Sequence, residues 1–392
     1  MTRTAVIVDV VRTPSGRGKP GGALSSLHPV DLAAHVLTKV LERNGLESRQ
    51  IDDVIMGCVS QVGEQSLNIG RQAVLAAGFD ESVPATTIDR QCGSSQQAAH
   101  FAAQGVMAGA YDIVIAAGVE SMSRVPLGSN RLDAADADGI RRRYPDGLVN
   151  QGVSAELVAH KWGFSREQLD AFAAESHRRA ADAATRGLFD SQVLPIDIDG
   201  TEVRADETVR PATSVEGLGG LAPAFRTDAA AERFPELEWM ITPGNSSPLT
   251  DAASAALIMS EATAAELGLT PRARFHSFAV VGDDPLMMLT GPIPATHRIL
   301  QRSGLRFADL DAYEVNEAFS SVPLAWAREF DADPAKLNPW GGAIALGHAV
   351  GASGTRLLGT LLAHLEATGG RYGLQTMCEG GGLANATIIE RL

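Results

Sequence analysis

The 392-residue chain is poor in aromatic residues and in cysteine. Aromatic side chains make up 5% of it, and its three cysteines are widely separated, at positions 58, 92 and 378. An odd, scattered set of cysteines excludes a disulfide framework and favours a reducing compartment. With few aromatic side chains and 40 glycines, helices and strands are expected to pack closely through small residues.

The chain also lacks an excess of basic residues and a long hydrophobic run. Its net charge of −14 argues against a nucleic-acid partner and requires any anionic ligand to find a local basic or dipolar site. The apolar run at residues 5–11 is too short to cross a bilayer, and the N-terminus lacks the pattern of a signal peptide. We therefore expect a cytoplasmic protein with no membrane partner.

Short apolar runs alternate with longer helical stretches, which is typical of α/β proteins. Residues 51–56 have a counterpart at 310–315, and the strand predicted at 112–118 has one at 372–378. A helix start marked by glycine precedes each of the strands at 112–118 and 372–378. The pattern suggests two duplicated halves, although similarity this faint also arises by chance in α/β proteins.

Residues 121–250 differ from their surroundings in being polar and irregular. Helical periodicity persists within them, and Ser165 is a plausible N-cap for a helix that runs to about Gly187. Because the stretch exceeds ordinary loop lengths, we interpret it as a lid domain. The predicted domains are 1–120 with 251–270, the lid at 121–250, and 271–392.

Two cysteines and one histidine lie in glycine-rich or turn segments, where backbone can approach a reacting group closely. Cys92 falls between a strand predicted at 85–89 and a helix predicted at 94–107. Backbone N–H groups at a helix start can lower a thiol pKa from about 8.5 to roughly 3.5–7.5, and the resulting thiolate attacks thioesters. From the residues alone, a buried structural cysteine is the favoured interpretation, because most free cysteines are small buried side chains. Cys58 continues an apolar strand and is interpreted as structural.

Four segments, taken in order, carry a resemblance to a known family: 89–95, 316–319, 341–354 and 378–382. They resemble those of the thiolases, which exchange acyl groups between a cysteine and coenzyme A (CoA). The resemblance runs over nearly the whole chain. It implies a duplicated, five-layered αβαβα fold with an inserted loop domain, assembled as a homodimer or homotetramer. It also implies CoA as co-substrate and acyl-CoA as partner, with no permanently bound cofactor and no metal.

The resemblance implies a role for each catalytic residue. Cys92 is acylated, and His348 takes its proton. His348 and Asn316 together fix a water that forms one oxyanion hole. Cys378 acts as general acid and base. The backbone N–H groups of Gly380 and Cys92 form the second oxyanion hole, which is worth a few kcal/mol per donor in comparable sites.

Three positions depart from the family pattern. Asp89 stands where thiolases often have asparagine, and Ala349 stands where they usually have a proline that would stiffen the loop. Glu379 replaces an apolar residue, and we expect it to point away from the site. If it faced inward, its charge would raise the pKa of Cys378.

Substrate contacts are also expected from the resemblance. Ser247 matches the segment along the pantetheine arm, and further contacts are predicted at Gln151, Leu148 and Phe319. Short-chain biosynthetic thiolases tend to carry His-Met-Gly where this chain has Asn-Gln-Gly at 150–152. Candidates for the CoA phosphates are Arg204, Arg210 and Arg226, although a solvated lid surface explains each equally well.

The function that these features favour is a 3-ketoacyl-CoA thiolase that degrades fatty-acyl or steroid side-chain esters. A biosynthetic acetoacetyl-CoA thiolase uses the same residues in reverse. Decarboxylating condensing enzymes pair their cysteine with two histidines, and this chain offers Asn316, His348 and Cys378 instead. A non-catalytic acyl-CoA or lipid carrier on the same scaffold would have little need of these residues together.

Overall fold

The computed structural model describes residues 3–132 and 134–392. The strands in this part of the chain are β1 Ala5–Arg12, β2 Gly16–Arg17, β3 Asp53–Gly57, β4 Ala85–Ile88, β5 Ile113–Ser121, β6 Ile196–Ile198, β7 Thr201–Val203, β8 Thr250–Ser260, β9 Ala273–Gly282, β10 Ala312–Val315, β11 Tyr372–Glu379 and β12 Leu383–Arg391. The α-helices are α1 Pro29–Asn44, α2 Ile69–Ala76, α3 Ser94–Ala108, α4 Asp138–Arg143, α5 Gln151–Lys161, α6 Arg166–Thr185, α7 Val215–Gly219, α8 Asp228–Arg233, α9 Glu261–Glu266, α10 Pro292–Ser303, α11 Ser321–Phe330, α12 Ala343–Leu346 and α13 Ser353–Thr368.

The large sheet is built from two halves. The first half has the strand order β4-β3-β5-β8-β1, in which β3 runs parallel to β4 and β5, and β8 is antiparallel to its neighbours. The second half has the order β10-β11-β12-β9, with β10 and β11 parallel. The halves meet where β1 and β9 pair antiparallel through Val6 with Arg274 and Ile7 with Ala273.

Helices cover both faces of each half and complete five layers. The alanine-rich helix α3 packs against α13 between the two halves, and both bury small and branched side chains against the strands. Helices α1 and α2 cover the outer face of the first half. Helices α10 and α11 cover the outer face of the second half. The predicted five-layered, duplicated α/β fold is confirmed.

The same hydrogen-bond arrangement occurs in both halves. Asp52, just before β3, accepts hydrogen bonds through Oδ2 from the backbone N–H groups of Asp112 and Ile113, at 2.6 and 2.9 Å. Asp311, just before β10, accepts through Oδ2 from the N–H groups of residues 371 and 372, at 2.6 and 3.0 Å. The similar segments at 51–56 and 310–315 therefore contain equivalent strands, β3 and β10, each preceded by an aspartate that anchors the neighbouring strand.

The region between β5 and β8 contains helices α4 to α8 and the two-stranded β6–β7 ribbon. Ser165 caps α6 in a reciprocal capping box with Gln168, as the sequence predicted. Strand β8 then lies between β1 and β5, and the domain boundaries drawn from the sequence stay a prediction. Within the described ranges, no helix is long and apolar enough to cross a membrane.

Candidate active site

The turn between β4 and α3 carries Cys92 and is fixed by side-chain hydrogen bonds. Asp89 accepts a bond through Oδ1 from the backbone N–H of Gln91, at 2.6 Å. Ser94 Oγ accepts from the N–H of Arg90 at 2.9 Å and donates to the carbonyl of Gln91 at 2.6 Å. Gln91 has φ of +49°, a conformation that residues other than glycine seldom adopt unless their surroundings hold them there. Asp89, which departs from the family pattern, therefore braces this turn.

Cys92 is a neutral thiol in the free protein, which corrects the expectation of a lowered pKa. Its side chain is buried, and burial together with the nearby Glu379 carboxyl raises the pKa of Cys92 to about 12. A hydrogen bond with Gln151 acts in the opposite direction and is weaker. The helix start does not determine the pKa of Cys92, because the free-energy cost of removing a thiolate from water exceeds the stabilisation that the backbone N–H groups of the turn provide.

His348 is held in the tautomer that a general base requires. Ser353 Oγ donates to the carbonyl of Ala349 at 2.9 Å, so it accepts from His348 Nδ1, which lies 2.6 Å away. The other ring nitrogen, Nε2, then carries a lone pair and faces Asn316 Nδ2 at 3.3 Å. The backbone N–H of His348 donates to Thr250 Oγ1 at 2.9 Å, which fixes the loop from the neighbouring half.

The imidazole of His348 is uncharged at neutral pH. Burial, and then the positive charge of Arg356, lower the pKa of His348 to about 3. A neutral ring with a free Nε2 can accept a proton from a thiol. Because the thiol and the imidazole are both neutral at rest, proton transfer from Cys92 is expected to accompany its attack on a substrate rather than precede it.

Cys378 is the penultimate residue of strand β11 and lies beside the nucleophile Cys92. It is almost fully buried and packs in an apolar cluster with Phe319 and Met288. Burial, then Cys92, then Glu379 raise the pKa of Cys378 well above its ordinary value. The residue is therefore a thiol able to give up a proton to a strongly basic group, which suits a general acid.

The segment after Cys378 interlocks with the turn of Cys92. A methyl group on Gly380 would come within 2.8 Å of Gln91 Oε1, so glycine permits the close approach. Glu379 does not line the cavity, and its carboxyl packs against Gly93. Its strand position turns the side chain away from the cavity, as expected, but the carboxyl still lies close enough to both cysteines to raise their pKa values.

A cavity of about 850 Å³ joins residues from both halves and from the region between them. Cys92, His348 and Gly380 lie on its wall. Asn316 and Cys378 lie behind this wall, Asn316 through its contact with His348 and Cys378 through its proximity to Cys92. All five predicted catalytic residues are thus gathered at one place.

Three of the four predicted substrate residues, Ser247, Gln151 and Phe319, line this cavity. Ser247 Oγ donates to the carbonyl of Ala318 at 3.1 Å, which ties the segment after the lid to the loop that follows β10. The fourth residue, Leu148, is not on the cavity wall and is 38% exposed. Its neighbours at 149 and 150 line the cavity instead, because the chain enters α5 there.

The basic side chain on the cavity wall is Arg131 rather than any of the three predicted arginines. Arg204 pairs with Glu202, and Arg226 lies 3.7 Å from Asp228 on the surface. Arg210 does not line the cavity either. In an irregular region, the sequence around an isolated arginine does not indicate whether its side chain lines a cavity or faces solvent.

Other cavity and loop residues were missed in the sequence. Phe225 packs edge-on against Phe319 with ring centroids 5.8 Å apart, and a methyl group on Gly152 would overlap its ring. Nothing local marks Phe225, because it lies in an irregular stretch. Ser353 lies in a segment that the sequence marks only as a helix start. Its hydroxyl, five residues after His348, was a usable signal of a contact with the imidazole.

No group of three or more histidine, cysteine, aspartate or glutamate side chains is placed to hold a metal ion in residues 3–132 and 134–392. The candidate site therefore offers thiols, an imidazole, an amide and backbone N–H groups. This set can transfer an acyl group through a covalent intermediate and move protons to and from it.

Two family models together match almost the whole chain. One is described as "Thiolase, N-terminal domain" and matches residues 5–262, and the other as "Thiolase, C-terminal domain" and matches residues 269–391.

Curated proteins and solved structures resemble the chain over its full length. It is 44% identical to the steroid 3-ketoacyl-CoA thiolase FadA6 of Mycobacterium tuberculosis, over 99% of this chain and 94% of that protein. It is 45% identical to a 3-ketoacyl-CoA thiolase of Aliivibrio salmonicida, over 99% of this chain and 100% of that protein. The crystal structure of the Bacillus anthracis acetyl-CoA acetyltransferase superposes with a TM-score of 0.88 at 36% identity, covering 100% of this chain and 99% of that one.

Proposed function

The chain belongs to the thiolase family, and we propose that it cleaves 3-ketoacyl-CoA with CoA to give acetyl-CoA and a shortened acyl-CoA in lipid degradation. The observation that carries the proposal is the common cavity of Cys92, His348 and Gly380, with Cys378 beside it. The names of the relatives from Mycobacterium tuberculosis and Aliivibrio salmonicida support cleavage of 3-ketoacyl esters.

In the first half of the reaction, Cys92 Sγ attacks the 3-keto carbon while its proton passes to His348 Nε2. The resulting oxyanion is stabilised from the side of His348 and Asn316. The bond between carbons 2 and 3 then breaks, and its electron pair leaves on acetyl-CoA. Cys378 protonates this carbanion, which leaves the shortened acyl group on Cys92 as a thioester and Cys378 as a thiolate.

In the second half, the thiol of CoA attacks the acyl group on Cys92. Cys378 takes the thiol proton and returns to its starting state. The tetrahedral intermediate faces the backbone N–H groups of Cys92 and Gly380, and it collapses with loss of Cys92 as the leaving group. His348 returns the proton to Cys92, so both cysteines and the histidine end as they began.

Burial supports this division of roles. A thiol with a raised pKa, such as Cys378, is a weak acid that protonates a carbanion but not a water-stable anion. A neutral His348 accepts a proton without first losing one. We also propose an assembly of identical subunits in the cytoplasm, on family resemblance and on the composition.

A second candidate is the reverse reaction, condensation of two acetyl-CoA molecules. The structural match to a protein titled acetyl-CoA acetyltransferase favours it, and the same residues would serve. Gln151 on the cavity wall, in place of the short-chain His-Met-Gly segment, favours a longer acyl group.

The test is CoA-dependent cleavage of a 3-ketoacyl-CoA series that runs from four carbons to a steroid side-chain ester. The Cys92→Ala variant should be inactive throughout. The matched control is Cys58→Ala, because Cys58 is equally buried but does not line the cavity. Activity that persists in Cys92→Ala would contradict the covalent mechanism, and a maximum at four carbons would favour the biosynthetic alternative.

A further inference from the structure

Glu379 lies close to both active-site cysteines, and the steps above give it no part. It is the last residue of β11, directly after Cys378, and its side chain is 0% exposed. Successive side chains of a strand point to opposite faces. The Glu379 carboxyl therefore lies on the face opposite Cys378, where it touches the backbone of Gly93, the residue that follows Cys92.

The carboxyl is buried without compensation. Neither of its oxygens has a hydrogen-bond partner among the described residues, and the ion pairs of that part of the chain do not include it. Buried carboxylates are almost always paired or hydrogen-bonded, because an isolated buried charge is very costly. Burial raises the pKa of Glu379 well above its ordinary value. The uncharged form of the Glu379 carboxyl is accordingly favoured, although Arg90 and the backbone of Asn385 act against that shift.

The charged and titratable groups that face this carboxyl come from three directions. The turn after β4 supplies Arg90, which favours the charged form, and Asp89, which opposes it. Cys378 on β11 and Cys92 above Gly93 both have their pKa raised by Glu379. Helix α3 also carries His100, whose own pKa is lowered to about 3 by burial, so it carries no charge at neutral pH.

We propose that Glu379 is a positioning residue for Cys92, a buried side chain that supports the Gln91–Gly93 turn from below through its contact with Gly93. The inference rests on the proposed function in that Cys92 is taken as the nucleophile. While the acid is neutral, the turn is held and no negative charge lies beneath the reacting sulfur. Above the pKa of Glu379, a carboxylate appears there and works against the thiolate.

The amide isostere Glu379→Gln separates these two effects, because it keeps the shape and removes the titration. The pH dependence of Cys92 alkylation by iodoacetamide, followed on the Cys92 peptide by mass spectrometry, should move down by about one pH unit. That shift corresponds to roughly tenfold faster alkylation at a fixed pH that lies above the pKa of Glu379 and below both Cys92 midpoints, and to no difference at a pH where Glu379 is uncharged.

The matched control for alkylation is Glu314→Gln. Glu314 is another fully buried carboxyl, whose pKa is raised to about 8, but it is not among the groups that act on Cys92. Its amide variant should leave the alkylation profile of Cys92 in place. An unchanged profile in Glu379→Gln, or an equal shift in Glu314→Gln, would overturn the electrostatic part of the inference.

The contact with Gly93 provides an independent test. Gly93 has φ of −86°, which any residue can adopt, and the three atoms nearest to a methyl group there all belong to Glu379. Gly93→Ala should lower kcat, and the double variant Gly93→Ala, Glu379→Ala should recover part of the loss because the space is vacated. A double variant no better than Gly93→Ala would refute the positioning role.

These outcomes remain separate from the fate of the proposed function. A wild-type protein that cleaves no 3-ketoacyl-CoA, but whose Cys92 alkylation responds to Glu379→Gln, would refute the proposed reaction and retain the electrostatic link. The opposite case is a wild-type protein that cleaves substrate, an unchanged alkylation profile in Glu379→Gln, and a double variant no better than Gly93→Ala. Those results would retain the proposed reaction and refute the role of Glu379.

Discussion

Removing the hydroxyl of Ser353 tests how the structure prepares His348 as a base. In the variant Ser353→Ala, the Nδ1–H of His348 loses the acceptor that lies 2.6 Å from it, and no other side chain is bonded to that nitrogen. The ring can then adopt the other tautomer, with the proton on Nε2, which cannot accept the proton of Cys92. Ser353 itself is 2% exposed and does not line the main cavity, so bulk water does not readily take the place of its hydroxyl.

The magnitude follows from the cost of a buried unsatisfied donor. Leaving such a group without its partner costs about 1–3 kcal/mol. If that cost enters the barrier to acylation, the rate falls roughly 5- to 150-fold, because each 1.36 kcal/mol is about tenfold in rate. We expect the loss in kcat, with KM little changed, because Ser353 does not line the main cavity.

The assay is single-turnover acylation, measured as acetyl-CoA released from a 3-ketoacyl-CoA by excess enzyme without free CoA. The matched control is Ser254→Ala. Ser254 is also buried, and its Oγ donates to the carbonyl of Ala352 at 2.7 Å without touching His348. An acylation rate in Ser353→Ala within twofold of wild type, or no slower than in Ser254→Ala, would refute this account of the base.

Three further predictions follow from individual contacts and pKa values. Because the pKa of His348 is lowered to about 3, the imidazole stays neutral as pH falls through 6, so kcat/KM for cleavage should stay flat down to about pH 5; an acid limb near pH 6.5 would show an unshifted histidine. Ala349→Pro should raise the free energy of unfolding by about 0.4–1 kcal/mol and keep activity. The N–H of residue 349 makes no backbone hydrogen bond in the described chain, and a small cavity adjoins its side chain. A lower melting temperature would contradict this prediction. Gly152→Ala should displace the ring of Phe225 and reduce kcat/KM for long acyl chains more than for four-carbon ones; equal losses across the series would place Phe225 away from the acyl group.

Local signals predicted the elements that carry the site. The helix predicted at 94–107 is α3, Ser94–Ala108, and the predicted N-cap Ser165 begins α6. These succeed because a cap, a strand pattern or a glycine-marked turn is fixed by residues close in sequence. The roles of Cys92, His348 and Cys378 came from family resemblance instead, since no spacing along the chain links residues from opposite halves.

Long-range packing accounts for what the sequence did not predict. The position of Cys92 at a helix start suggested a lowered pKa, but burial by the second half and by Glu379 reverses the direction. The side chain of Glu379 could not be placed without knowing that it packs against Gly93. Phe225 reaches the cavity wall from an irregular stretch that carries no periodicity.

The central claim is that an acyl group passes through Cys92, and one measurement tests it directly. The protein is mixed with a 3-ketoacyl-CoA in the absence of free CoA, quenched in acid, digested and mapped by mass spectrometry. We predict one shortened acyl group on the peptide that contains Cys92, with an equal amount of acetyl-CoA released. Acyl groups on Cys58 or Cys378 instead, or acetyl-CoA release with no acylated peptide, would contradict the mechanism.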